Sequence, residues 1–521
     1  MASGEFIGEK IEVEKDLPKS QLKHVRPMRG RFTHKRVEAL LKSIYGEEEY
    51  KKMHEAGVDR RMMFGTNPHY QALVMGEELQ DVDGKILVPK MPPSKAVGAL
   101  ILPRLDEAQD MAGEKDTSNQ MAYSPGNAHG QLLHKYGEIV LAYASPTCSA
   151  HCRYCYRLDL FNKDTGKSSV RAEDLRDYVV NYNRVIEQTG GMDPKTGEKR
   201  YPVKEILLSG GDPLVLTNYS LYRYLVAAGQ AGVNMLRIGS KELAFRPRRI
   251  DDAFVDMLKR VHARFPDMHI NIVSHLTHPD EFLLRRSNGE YVPNESGSGY
   301  RWLEESFEAV TRLTSLPFVS VENQTPIIKG VNDDVESIHL LHEEVRRMGI
   351  KPKYLFQGRE IEGHKAFSLP VEKAWHIHNE AMKGLSDTAR SRFAMSTEWG
   401  KMEIVSVIDP IGTSEAELGS LPPAMASLFE GLFGDGLIVF RSHRSPYAAG
   451  EQGDLIIARR NPNALWISGY EDRILYDTRR AAGEKYAGMM ALLTGAFPQL
   501  QTLGGMNMPA QMDTHEMASA A

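Results

Sequence analysis

The only three cysteines in the 521-residue chain fall within eight positions, as Cys148-x3-Cys152-x2-Cys155 in the segment ASPTCSAHCRYCYR. A disulfide framework scatters its pairs through a chain, so this is not one. The thiols follow the apolar run Ile139 to Ser145, on a loop past a strand, where an α/β sheet or barrel opens its active site. Two plain readings are buried structural cysteines and a zinc site completed by His151. Structural cysteines do not cluster, however, and zinc sites usually join a C-x2-C pair to a distant second pair that this sequence lacks. Three thiolates on a cubane [4Fe–4S] cluster leave one iron without a protein ligand, and an open position is where a substrate or cofactor binds.

A second run lies on the next strand, Leu207-Leu208-Ser209-Gly210-Gly211-Asp212-Pro213-Leu214. Alone, a Gly-Gly turn after a strand is most often structural. Beside the thiols it gains meaning, because glycine lets backbone groups approach a ligand closely. With Tyr154 before the last cysteine, the C-x3-C-x2-C motif resembles the radical S-adenosylmethionine enzymes. The resemblance implies a full or partial (β/α) barrel, here (β/α)6. It also implies S-adenosylmethionine chelated to the open iron, an external electron donor such as flavodoxin or ferredoxin, and reductive cleavage to a 5′-deoxyadenosyl radical. Ser209, Gly210, Gly211, Asp212 and Ser240 are then the residues expected at that cosubstrate.

A narrower resemblance covers residues 123–405. LLSGGDPL at 207–214, LRIGS at 236–240, SHLTHPDEF at 274–282 and ENQTPIIKGVNDD at 322–334 are similar to the lysine 2,3-aminomutase branch. That branch adds pyridoxal phosphate, which carries the substrate amine as an imine while nitrogen migrates between carbons 2 and 3. Arg157 matches the branch's substrate-carboxylate arginine, a role suited to a planar guanidinium. Lys401 in STEWGKMEI falls where the branch has its pyridoxal-binding lysine, although only Gly400 remains of four glycines. Such a lysine must be desolvated to lose its proton. Lys135 keeps one of two phosphate-contacting cations, Ile139 replaces the other, and Tyr136 keeps an aromatic at the cofactor ring.

Two aspartates of lysine-specific members correspond to Arg359 and Ala394. A buried guanidinium would repel a lysine ε-ammonium, so the expected substrate is a non-lysine amino acid, with a dicarboxylic one such as glutamate preferred. Two other readings stay open. One is a pyridoxal-independent radical lyase, epimerase or modifying enzyme; the other is a non-catalytic iron–sulfur or zinc protein.

The positioning elements follow from periodicity. Strands are predicted at Ile139 to Ser145, Glu205 to Ser209, Met235 to Ser240, His269 to His275, Phe318 to Glu322 and Tyr354 to Gln357, each apolar enough to be covered on both faces. Helices are predicted near 172–189, 219–230, 251–264, 302–314, 333–348 and 370–384, with Asn218, Asp251 and Asn332 as N-caps. This alternation is the pattern of strand–helix units on a parallel sheet.

Residues 1–122 are expected to form an arm to about residue 30 and a helical region that includes one amphipathic helix from Arg36 to Ala56. The barrel core is expected over 123–405. A C-terminal extension follows over 406–521, with strand-like runs LIVF, DLIIA and ALWIS. Sixty-four basic against sixty-nine acidic residues give a net charge of −5, which disfavours nucleic-acid and anionic-membrane partners. Without a signal core or an 18-residue apolar span, the chain reads as cytoplasmic. By analogy with relatives it reads as a homo-oligomer. His275 and His278 sit where they could approach the adenosyl group or serve as satisfied supports, and Arg246-Pro247-Arg248-Arg249 reads as a solvated helix entry.

Overall fold

The apolar runs around the cysteine loop build a parallel sheet. In this computed structural model the described residues are 11, 28–114, 116, 118–125, 131–157, 169–192, 197, 199–410, 418–446, 453–480 and 484–496. An antiparallel hairpin of β1 (Leu132–Tyr136) and β2 (Ile139–Ser145) leads in. Strands β3 (Glu205–Gly210), β4 (Met235–Ser240), β5 (His269–Ser274), β6 (Val319–Pro326), β7 (Lys351–Phe356) and β8 (Arg392–Thr397) then follow side by side, all parallel to β2. The helices between successive strands are α1 (Ala172–Gln188), α2 (Asn218–Gln230), α3 (Asp252–Arg264), α4 (Glu304–Thr314), α5 (Val335–Arg347) and α6 (Val371–Ala381). Six strand–helix units are thus present, with β8 as a seventh parallel strand. β9 (Gly400–Ile408) turns back antiparallel on β8.

Because side chains alternate along a strand, each strand has two fates. Ile206, Leu208, Leu236, Ile238, Ile270 and Ile272 are fully buried, in one core with Leu221, Leu225, Leu258 and Leu341 of the helices. The residues between them, Glu205, Leu207, Ser209, Arg237, Gly239 and Val273, line a cavity of about 470 Å³. The expectation of cover on both faces therefore holds on the helix side only. Leu141 of β2 and Lys353 of β7 face that same cavity, so the sheet rolls into a partial barrel.

Local sequence explains several boundaries. Asp251 caps α3, accepting from the Phe254 amide at 2.8 Å. The cap of α2 is Thr217 rather than Asn218, and that of α5 is Asp334 rather than Asn332. Asn332 is instead spent inside the fold, accepting from the Ile328 amide and donating to the Thr277 and Pro326 carbonyls. The expected single helix from Arg36 to Ala56 is two, Lys35–Tyr45 and Glu47–Glu55, separated by Gly46. The expected arm lies largely outside the described residues; its end, Met28–Gly30, pairs with Phe64–Thr66. No helix among the described residues is long and apolar enough to cross a membrane.

Two units divide the chain: residues 1–403 with 442–452, and residues 404–441 with 453–521. The second holds a run of antiparallel strands, in which Leu437 to Arg441 pair with Leu455–Arg459, and these pair with Ile474–Asp477. It also holds the helices Pro423–Phe433 and Ala487–Ala496. The run ALWIS is not a strand; it enters the 3-10 helix Ile467–Arg473, which buries Ile467 and Tyr470.

Candidate active site

Cys148, Cys152 and Cys155 line the barrel cavity together. Their loop is clamped by the N-terminal region. The His151 amide donates to the Gly65 carbonyl and the Arg153 amide to the Leu100 carbonyl, both at 2.8 Å, and Arg29 donates to the Cys148 carbonyl. Arg153, fully buried, donates to Glu107 through Nε at 3.0 Å and Nη2 at 2.6 Å, and Arg61 joins the same carboxylate. His151 bonds the Met63 carbonyl through Nδ1 at 2.8 Å and, unlike the three cysteines, is not part of the cavity lining.

Among the described residues no three His, Cys, Asp or Glu side chains converge as they would on a single ion. A cubane, by contrast, spreads three thiolates over three separate irons. Burial pushes the Cys152 thiol up to about 12 and Cys148 well above its ordinary value, with neighbouring acidic groups adding to the effect at Cys148. As thiolates they demand a cationic partner, which suits the cluster.

The glycine turn is shaped by close approach. Gly210 has φ of +117°, and a Cβ on Gly210 or Gly211 would strike the Ser145 or Thr147 carbonyl. Asp212 then accepts from the Leu214 amide at 2.9 Å, the Lys241 amide at 2.8 Å and the Ser240 hydroxyl at 3.0 Å. Burial, reinforced by Glu242, pushes its carboxyl up to about 7. Ser209, Gly211, Asp212 and Ser240 reach the cavity, while Gly210 contributes its carbonyl to Arg157.

Arg157 Nη1 donates to Ser209 Oγ at 2.8 Å and to the Gly210 carbonyl at 2.7 Å. Arg359 donates to Ser396 Oγ at 3.1 Å. Both guanidiniums line the cavity, and neither is ion-paired among the described residues. Further in, Lys401 lies over the Tyr354 ring at 4.2 Å and the Phe356 ring at 5.5 Å. Burial, and then Arg237, Lys353 and Arg444, lower its pKa from 10.5 to about 7. Lys135 donates to the carbonyls of Ser118 at 3.2 Å and Thr397 at 2.8 Å, and burial with Arg359 lowers it to about 8. Tyr136 lines the same space.

No family model matches the chain. An Aquifex aeolicus protein named "Putative L-lysine 2,3-aminomutase" is 27% identical over 432 residues, 82% of this chain and 92% of the relative. Glutamate 2,3-aminomutase of Clostridioides difficile is 24% identical over 64% of this chain and 63% of its own length. L-lysine 2,3-aminomutase of Clostridium subterminale is 27% identical over 47% and 49%. The chain is a homologue of the lysine 2,3-aminomutases. A solved radical SAM methyltransferase from Sphaerobacter thermophilus aligns with 51% of this chain and 68% of its own at 15% identity, with a TM-score of 0.32.

The cavity is rich in basic side chains. Its lining contains Lys135, Arg157, Arg237, Lys241, Lys353, Arg359, Lys401 and Arg444, against Glu205 and Asp212. Both carboxylates are engaged, Glu205 by Arg237 and Asp212 as above. Ala394, where lysine-specific members have an aspartate, is fully buried on β8. Arg237, Lys353, Arg444 and Glu107 were not singled out from the sequence. Arg237 carries a signal, as a charged residue on the cavity-facing parity of β4; Lys353 does not, since Tyr354 and Phe356 of the opposite parity also line the cavity and the register shifts at Lys353.

Of the remaining candidates, His275 reaches the cavity and bonds the Tyr154 hydroxyl at 2.9 Å. His278 is spent in capping the turn Pro279–Glu281. The basic run 246–249 is not a solvated helix entry: Arg249 is fully buried and donates to the Leu214 carbonyl at 2.6 Å, and Arg246 pairs with Glu242.

Proposed function

We propose that this chain is a radical S-adenosylmethionine amino acid 2,3-aminomutase that takes a dicarboxylic substrate such as glutamate. It would use pyridoxal phosphate on Lys401 and an external one-electron donor. The observation that carries the reading is Lys401 itself. An amine held at about 7 by burial among cations shares one cavity with three cysteines, and carbonyl condensation needs an unprotonated amine.

Cys148, Cys152 and Cys155 would hold the iron–sulfur cluster, and Ser209, Gly211, Asp212 and Ser240 would hold the cosubstrate. Lys135, Tyr136 and Lys401 would hold pyridoxal phosphate. When bound, the cluster and cosubstrate supply a carbon radical, and pyridoxal phosphate supplies a carrier for the migrating amino group. The chain's own residues orient and exclude. Arg157, fixed by Ser209 and Gly210, presents its free guanidinium edge to the α-carboxylate. Arg359 takes the second carboxylate, and Tyr354 and Phe356 wall the amine of Lys401 from water. A lysine substrate would bring its ammonium to a cavity with no uncommitted carboxylate among the described residues, which costs several kcal/mol.

The test is anaerobic reconstitution with iron and sulfide, then product analysis over a panel of amino acids with and without pyridoxal phosphate. Formation of β-glutamate only with the cofactor supports the reading. Activity surviving Lys401→Ala would favour the pyridoxal-independent enzyme, and no release of 5′-deoxyadenosine under reduction would favour a non-catalytic protein.

A further inference from the structure

The cations of the cavity sort by their partners. Arg237 is neutralised by Glu205, Lys353 by Glu322 at 2.8 Å and Lys241 by Glu281 at 2.7 Å. Arg157 and Arg359 gather at Tyr156, next to the last cysteine. Lys135 and Arg444 remain, on either side of Lys401 in the chain.

Arg444 ends the strand Leu437–Arg444 and belongs to the first unit. Its guanidinium lies 4.8 Å above the Tyr136 ring. One nitrogen, Nη2, pairs with Glu138, while Nε is buried without a partner among the described residues. Lys135 Nζ gives two of its three hydrogens to the Ser118 and Thr397 carbonyls and keeps one. Arg444 thus adjoins the Tyr136 ring, while Lys135 reaches Thr397, which pairs with Gly400; both cations line the same cavity with a spare donor.

Register supplies an independent argument. Tyr136 pairs across the hairpin with Ile139, the position at which the sequence lost a cation. Arg444 returns a positive charge to the same ring from a distant part of the chain. Its placement is fixed, since Gly400, the residue before Lys401, has φ of +108° and leaves no room for a Cβ against the Arg444 carbonyl. The backbone that presents Arg444 thus packs on the backbone that presents Lys401.

We propose that Arg444 and Lys135 form the phosphate-binding end of the cofactor pocket, with Lys401 at the aldehyde end. This rests on the pyridoxal reading above. A guanidinium shared between Glu138 and a dianionic phosphate keeps both of its faces satisfied, and a phosphate contact of this kind is worth about 10- to 100-fold in affinity.

The experiment titrates full-length protein with pyridoxal phosphate and, separately, with pyridoxal, which lacks the phosphate. Adducts are trapped with borohydride and located by peptide mass spectrometry. Wild type should half-saturate at Lys401 at a pyridoxal phosphate concentration at least tenfold below that for pyridoxal. Arg444→Gln should raise the pyridoxal phosphate value about 10- to 100-fold and, measured above the Lys401 midpoint, change the pyridoxal value far less, with Arg444→Lys in between. Equal wild-type half-saturation by the two aldehydes overturns the proposal even if Arg444→Gln fails to fold. So does a variant that binds pyridoxal phosphate as wild type does, or that loses both aldehydes equally. Absence of any wild-type adduct at Lys401 would instead overturn the pyridoxal reading itself, a separate outcome.

Discussion

Arg157 and Arg359 set their guanidiniums over the same Tyr156 ring, at 4.6 and 4.1 Å. Two like charges gathered at one ring inside a cavity are tolerable when anions are expected there. A dicarboxylic amino acid supplies two, one for each arginine.

If Arg359 receives the distal carboxylate, Arg359→Ala should lower kcat/KM for glutamate by about 100-fold, the scale of one desolvated charge-assisted contact. Most of the loss should fall in KM, and Arg359→Lys should recover only part of it, because an ammonium lacks the bidentate fork. Steady-state kinetics on the reconstituted protein decides this. Unchanged glutamate turnover in Arg359→Ala would remove Arg359 from the site.

The second prediction concerns the support of the cysteine loop. Glu107 neutralises both Arg153, which lies between Cys152 and Tyr154, and Arg61, and Glu107 and Arg153 are fully buried. Glu107→Gln leaves two buried guanidiniums without their anion. Breaking a buried pair on one side costs about 3–5 kcal/mol, so the denaturation midpoint should fall accordingly. The variant should also retain less iron after reconstitution, because the loop loses its anchor. A variant as stable and as iron-rich as wild type would show that the network does not hold the loop.

Much of this was legible in the sequence for physical reasons. Strands such as β2 and β4 begin and end where their apolar runs do, since alternate residues such as Leu236 and Ile238 must be buried under helices. The thiols and the Gly210–Gly211 turn declared themselves by residue type at short spacing. The rest depends on tertiary contact. RFAMST at β8 has a short apolar stretch without period-2 alternation, so it gave no strand signal. Glu107 looks like one more acidic residue in a helical stretch until Arg153 is seen beside it. Arg444 reaches Tyr136 only through the fold, and nothing in its local sequence says so.

Gly400 gives a third prediction. Its φ of +108° and the carbonyl of Arg444 both oppose a side chain. Gly400→Ala should therefore lose about 1–3 kcal/mol of stability and shift the Lys401 backbone away from its position over Tyr354. Thermal unfolding measures the first effect, and the extent of borohydride-trapped pyridoxal phosphate at Lys401 measures the second. Wild-type behaviour in both would show that the glycine is dispensable.

The last prediction follows from the charge state of Lys401. Burial is the largest influence, with Arg237, Lys353 and Arg444 adding to it, and together they bring its pKa from 10.5 to about 7. The neutral amine is the nucleophile, so the rate of trapping by pyridoxal phosphate should climb about tenfold per pH unit below 7 and level off above it. An ordinary lysine would keep climbing towards 10.5. Lys353→Met removes one repelling cation and leaves Glu322 without its partner, so the midpoint should move upward. Stability carries the same signature. Between about pH 7 and 10.5 the unfolded chain holds a proton on this lysine that the folded chain lacks, so folding stability should rise with pH across that window, and Lys401→Met should flatten the rise. A trapping rate still increasing steeply at pH 9 would mean that Lys401 is solvated and charged, and unsuited to hold the cofactor.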